Sequence, residues 1–104
     1  MGILSFLGFG RSGIKEALKK GAVIIDVRTA NEFDNGKIPG SINIPVDRLS
    51  VNIQRLRQMN RPVIFCCSSG ARSSKAAGIA RQNGIKDVYN GGNWMKVLAL
   101  AGKS

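Results

Sequence analysis

The sequence predicts an α/β domain with a mainly parallel sheet flanked by helices. Three observations predict it. Two apolar runs rich in β-branched residues, Ala22–Val27 (broken only by Asp26) and Val63–Cys66, suit strands buried on both faces, as in a parallel sheet. Segments with helical spacing separate them. Each break between segments carries a glycine, proline or capping residue.

Residues 1–11 form an apolar N-terminal segment, expected to pack on the domain's edge. It lacks the basic flank and small-residue cleavage site of a signal peptide. It is far short of the ~20 residues that span a bilayer. Phe6 stands where a myristoylation signal needs Ser or Thr. No membrane partner is expected.

The core then runs from residue 12 to residue 100 as a single domain. Ser12–Lys20 reads as a short helix with Ser12 as N-cap and Gly21 as stop. After the first apolar run, Thr29 and Glu32 have capping-box spacing and open a second helical turn. Lys37–Gly40 is a turn, Ser41–Ile44 a brief strand stopped by Pro45. Asp47–Met59 reads as one helix, with Leu49, Ile53 and Leu56 along one face. Val63–Cys66 is the next strand, and Ser68–Ala71 a loop of small residues. Arg72–Asn83 is a helix stopped by Gly84, its Ala76, Ala77, Gly78 and Ala80 allowing close approach to a sheet. Asp87–Tyr89 is a last short strand, Asn90–Gly92 a turn, and Trp94–Leu100 a final helix.

Of the 104 residues, 43% are hydrophobic and 21% charged, the balance of a globular chain and not of a disordered one. The net charge of +10 is the one extreme. It makes a field that attracts anions, and Arg48, Arg55, Arg57 and Arg61 form its densest patch. Few aromatics and no nucleic-acid motif accompany it, so no nucleic-acid partner is expected. The two cysteines, Cys66 and Cys67, are adjacent. Their Cα atoms lie ~3.8 Å apart, inside the ~4.4–6.8 Å of a relaxed disulfide. Two free thiols suit a reducing, cytoplasmic compartment. With no histidine and no ligand cluster, no metal and no cofactor is called for.

In an open α/β sheet, ligands gather beyond the carboxyl ends of the strands. Cys67 stands there, followed by Ser68, Ser69, Gly70, Ala71, Arg72 and Ser73. The backbone N–H groups of residues 68–72 can curl round its sulfur, with the positive end of the following helix behind them. Both stabilise a thiolate, the reactive form of cysteine. Gly70 permits the curl because it tolerates positive φ.

At this point the sequence resembles the rhodanese family, over nearly its whole length. Asp26-Val-Arg28 with Glu32-Phe33 is similar to the family's D-V-R-x-x-x-E-[FY] element. Gly36–Pro45 is similar to its G-H-I-P-G-A-x-N-I-P element, with Lys37 in place of His. Cys67–Ser73 matches its C-x-x-G-x-R-S loop, and Gly91-Gly92 its late glycine pair. The resemblance implies a three-layer fold and two-step sulfur transfer. Cys67 takes a sulfane sulfur from a small anionic donor such as thiosulfate and becomes a persulfide. A thiol, a protein cysteine or cyanide then accepts it. The resemblance also implies that Arg72 orders the loop, and that Asp26 and Arg28 are a buried structural pair, with Arg28 bonded to Glu32.

Two departures bear on the chemistry. Many active relatives carry Arg or Lys at the positions of Ser68 or Ser69, where it can hold the donor's sulfonate. Trp94 follows the glycine pair by two residues where the family has four. Counted from Cys66, the loop has the C-x5-R-S spacing of cysteine-dependent phosphatases and arsenate reductases. Gly70 is in register only with Cys67, so Cys67 is the expected nucleophile. Cys66 is expected to point into the core, with a resolving thiol as its other possible role. A non-catalytic binding module of the same fold is a further alternative.

Overall fold

The computed structural model describes residues 11–102. Its four strands, β1 (Val23–Asp26), β2 (Ile42–Asn43), β3 (Val63–Cys67) and β4 (Val88–Asn93), form one sheet in the order β2-β1-β3-β4. Every neighbouring pair is parallel. Helices α1 (Arg11–Lys19), α2 (Ala30–Asp34), α3 (Ile53–Met59), α4 (Ala71–Gln82) and α5 (Trp94–Ala101) connect and cover them.

Alternation along β3 builds the three layers, because successive side chains leave opposite faces of a strand. Val63, Phe65 and Cys67 pack with Leu49, Ile53 and Leu56, and with Ala76, Ala77 and Ala80 of α4. Ile64 and Cys66 pack on the other side with Ile14 and Ala17 of α1 and Val97 of α5. All five residues of β3 are buried, which is why this central strand reads as an unbroken apolar run.

Several boundaries differ from expectation. Helix α1 begins at Arg11, so Ser12 lies within it and is not its N-cap. The apolar segment 1–11 falls outside the described residues but for Arg11. The expected helix Asp47–Met59 breaks into two 3₁₀ turns, Val46–Arg48 and Ser50–Asn52, before α3. Asp47, Ser50 and Asn52 are weak helix formers, and Asn52 Nδ2 donates to the Arg48 carbonyl at 2.9 Å. The face that Leu49, Ile53 and Leu56 present to the core survives the break. Of Ser41–Ile44, two residues pair with β1.

The largest difference is β4, which runs through Asn90–Gly92 where a turn was expected. Phe65 pairs with Asn90 and Cys66 with Gly92, so Gly91 is the extra residue of a bulge. A Cβ on Gly91 would lie 2.7 Å from Val97 Cγ2 and 2.9 Å from Ile64 Cγ2. Gly91→Ala is therefore expected to cost about 1–3 kcal/mol in urea denaturation. Gly78→Ala, with nothing within 4 Å of its added methyl, should stabilise α4 by about 0.5–1 kcal/mol.

Part of the basic patch has a structural use. Arg61 Nε donates to the Gly21 carbonyl at 2.7 Å, beyond the end of α1, and Arg57 donates to the Asn83 carbonyl at the end of α4. Both guanidiniums thus satisfy carbonyls past helix C-termini, where positive charge is favourable. A cavity of about 280 Å³ between Arg57, Arg61 and Lys86 opens beside Pro62 and Asp87, at the amino ends of β3 and β4. Cys67 lies at the opposite end of the sheet.

Candidate active site

Cys67 is the last residue of β3, and α4 begins four residues later at Ala71. So short a connection must reverse sharply. Gly70 does this at φ +103°, in the left-handed region that glycine enters without strain. The turn aims backbone donors at the sulfur. Gly70 N–H donates to Cys67 Sγ at 3.0 Å and Ser73 N–H donates at 3.4 Å. The hydroxyl of Ser73 lies 3.5 Å from the same sulfur. Cys67 and Ser73 are both fully buried.

Burial by itself would raise the Cys67 pKa. The Ser73 hydroxyl and the N–H groups of Ser73, Gly70 and Ser69 outweigh it, and the thiol falls below its ordinary value. Cys66 is the opposite case. It leaves the other face of β3, among Ile14, Ala17 and Val97, and burial, with the nearby Asp26 carboxylate, pushes its thiol up to about 12. Of two equally buried neighbours, Cys66 is held as the thiol and Cys67 is held toward the thiolate.

Arg72 lies across the loop, its guanidinium turned to partners other than Sγ. Its guanidinium makes a two-pronged ion pair with Glu32 of α2, at 2.7 and 3.1 Å, and donates to the Ser68 hydroxyl at 2.9 Å. Ser68 is held from a second side, its carbonyl accepting from Asn93 Nδ2 at 2.8 Å. Glu32 also closes the expected capping box, accepting from Thr29 N–H at 2.9 Å. Arg72 and Thr29 together hold the Glu32 carboxyl down at about 2. The α2–loop tie is thus expected to persist through mildly acidic solution and to open only as pH nears 2, which Glu32 carboxyl titration by NMR would show.

Asp26 and Arg28 form a buried pair on the Cys66 side of the sheet, where Asp26 is in register with Cys66. Arg28 Nε lies 2.9 Å from Asp26 Oδ1, and Nη2 lies 2.6 Å from Oδ2. The same guanidinium donates to the carbonyls of Gly36 at 2.6 Å and Glu32 at 3.3 Å. The bond to Glu32 therefore goes to its backbone, leaving the carboxylate for Arg72. Trp94 covers the pair, its ring centroid 4.6 Å from Arg28 Cζ. That contact gives Trp94 its place despite its unusual spacing from Gly92.

Sequence reasoning brought Cys67–Ser73 together and missed Glu32's second role, Asn90 and Asn93. Asn90 Oδ1 accepts from Ser73 Oγ at 2.6 Å and from Gly92 N–H at 3.0 Å. Two asparagines beside a glycine pair run against strand propensity. That mismatch was the available signal that this segment serves the site.

Comparison with known proteins identifies the family. The family model for the rhodanese-like domain matches residues 12–93. An uncharacterized Bacillus subtilis protein, YqhL, is 41% identical over 69 residues, covering 66% of this chain and 54% of that one. The thiosulfate sulfurtransferase GlpE of Shewanella oneidensis is 35% identical over 71 residues, covering 68% of this chain and 69% of that one. The chain thus spans about half to two thirds of these relatives' lengths. Among solved structures, a Rhodopseudomonas palustris protein of unknown function, described as a possible tyrosine phosphatase, superposes with a TM-score of 0.72 at 28% identity. That match covers 90% of this chain and 80% of the other. On its family model, its relatives and its fold, the chain belongs to the rhodanese-like domain family.

Proposed function

We propose that this protein is a sulfurtransferase in which Cys67 carries the sulfur. The observation behind the reading is the pair of backbone donors, Gly70 N–H and Ser73 N–H, converging on Cys67 Sγ. Donors fixed in advance stabilise a thiolate before reaction, and the same cradle can hold a persulfide anion afterwards. The thiolate attacks the outer sulfur of the donor, forming the Cys67 S–S bond and expelling the donor's remainder with the electron pair of the broken bond. For thiosulfate that remainder is sulfite. A thiolate or cyanide then attacks the outer sulfur of the persulfide and restores the Cys67 thiolate. The GlpE relative carries sulfurtransferase activity in its name, and two unpaired buried thiols suit a reducing compartment such as the cytoplasm.

The donor preference follows from charge. Ser68 and Ser69 are neutral, and the Arg72 guanidinium is engaged by Glu32 and Ser68. A sulfonate therefore finds no uncommitted guanidinium on the loop. We infer that a persulfide loads Cys67 faster than thiosulfate does.

Intact mass after incubation with each donor tests both statements. The expected result is a gain of one sulfur, quicker from a small-molecule persulfide. Ser69→Arg should raise kcat/KM for thiosulfate about tenfold, mainly through KM, the worth of one charge-assisted hydrogen bond. Failure to gain sulfur from any donor would leave the fold as a binding module. A phosphatase reading has less support. The loop N–H groups point at Cys67, whereas Cys66, the residue with phosphatase spacing, lies on the opposite face.

A further inference from the structure

Ser73 has one hydroxyl proton and three neighbours that could take it. They are Asn90 Oδ1 at 2.6 Å, the Gly70 carbonyl at 3.1 Å and Cys67 Sγ at 3.5 Å. The orientation of Asn90 decides among them. Gly92 N–H, which can only donate, points at Oδ1 from 3.0 Å, so the amide oxygen and not the amide nitrogen faces Ser73. An amide oxygen cannot donate. The shortest of the three contacts therefore runs from the Ser73 hydroxyl to Asn90.

While Cys67 is a thiol, that proton stays directed at Asn90 and Ser73 turns a lone pair toward the sulfur; the hydroxyl lowers the Cys67 value only when the proton swings to the thiolate. A Cys67 thiol satisfies that lone pair by donating S–H to it. A thiolate cannot, and receives the hydroxyl's help only if the proton leaves Asn90. We propose that Asn90 is a positioning residue: by competing with Cys67 for the Ser73 proton, it limits how readily the thiol ionises.

The segment fits the role. The bulge at Gly91 inserts one residue between the partners of Phe65 and Cys66, and the residue just before that insertion is Asn90. Arg72 and Cys66 both feel the charge on Cys67, but neither competes for the Ser73 proton. Arg72 of α4 is paired with Glu32 of α2, and Cys66 and Asp26 lie on the far face of the sheet.

The inference rests on Cys67 as the reactive thiol, but its test does not need sulfur transfer to occur. Thiolate absorbance in the ultraviolet, followed against pH, reads Cys67 ionisation directly, since Cys66 stays protonated until about 12. Asn90→Ala leaves the Ser73 proton between two acceptors. The neutral Gly70 carbonyl already accepts from Ser74 N–H, and the thiolate attracts the proton more strongly through its charge. The Cys67 midpoint should therefore fall by about one pH unit. In a Ser73→Ala background the same replacement should move it little, because the competing hydroxyl is gone.

Asn90→Asp offers a second route if the alanine variant folds poorly. It keeps an acceptor for Gly92 and grips Ser73 harder, so the midpoint should rise, and rise more with Ser73 present than without. An unchanged or higher midpoint in Asn90→Ala would overturn the proposal, as would shifts of equal size with and without Ser73. Normal shifts without sulfur loading by any donor would instead refute the sulfurtransferase reading and leave this one standing.

Discussion

Replacing Cys67 by serine is expected to abolish sulfur loading, with turnover reduced by about 10³-fold or more, while Cys66→Ala loads within about twofold of the parent protein. The argument is geometric. The two residues are neighbours in sequence, but they leave β3 on opposite faces. Loop donors reach one of them alone. An alcohol at position 67 is a far weaker nucleophile than a thiolate at neutral pH, and the cradle cannot compensate.

At position 66 the choice of replacement separates packing from chemistry. Alanine leaves a small void, whereas serine buries a hydroxyl among Ile14, Ala17 and Val97 and should cost a further ~1–3 kcal/mol. Loading per folded molecule should hold in both. The pH dependence carries a sign as well. Loading should rise with pH as Cys67 ionises, with a midpoint below that of an ordinary thiol, because the balance of its surroundings lowers the Cys67 value. Sulfur gain that survives Cys67→Ser and vanishes in Cys66→Ala would reverse the assignment.

What the sequence revealed and what it hid divide along a physical line. β1 and β3 were legible because burial on both faces writes a nearly continuous apolar run rich in β-branched residues. The Cys67 loop was legible because Gly70 and Arg72 stand in fixed register with one cysteine. The segment Asp47–Met59 misled because spacing reports which side chains face the core. It does not report whether Asp47, Ser50 and Asn52 let the backbone stay α-helical between them. The end of β4 was hidden by its own composition. Asn90, Gly91 and Gly92 read as a turn, yet parallel pairing with β3 carries the strand through them, with Gly91 absorbed as a bulge. Glu32 was visible as a capping-box residue, and the box does form. Its partnership with Arg72, 40 residues away, has no local signature. Side chains that reach the site from another element are set by topology, and periodicity is silent about them.

Removing Arg28 is expected to destabilise the fold by about 3–5 kcal/mol, a large share of the ~5–15 kcal/mol that holds a domain of this size together. Arg28→Met keeps much of the side-chain volume under Trp94 but leaves three oxygen groups without their partner. These are the Asp26 carboxylate, fully buried, and the carbonyls of Gly36 and Glu32. The first dominates, because an unpaired buried charge costs far more than an unpaired carbonyl. Asp26→Leu combined with Arg28→Met should therefore recover part of the loss, since it removes the stranded charge as well as its partner. The Glu32 carbonyl keeps the Asn35 N–H at 3.2 Å, but the Gly36 carbonyl would lose the donor that Arg28 supplies, so recovery should stop short of the parent stability. A double-mutant cycle in urea measures this directly. The pair lies on the face of the sheet opposite Cys67, so the sulfur loaded per folded molecule should be unchanged across the cycle. A variant that stayed folded but no longer loaded Cys67 would give Asp26 and Arg28 a part in the chemistry, and the structural assignment would then fail.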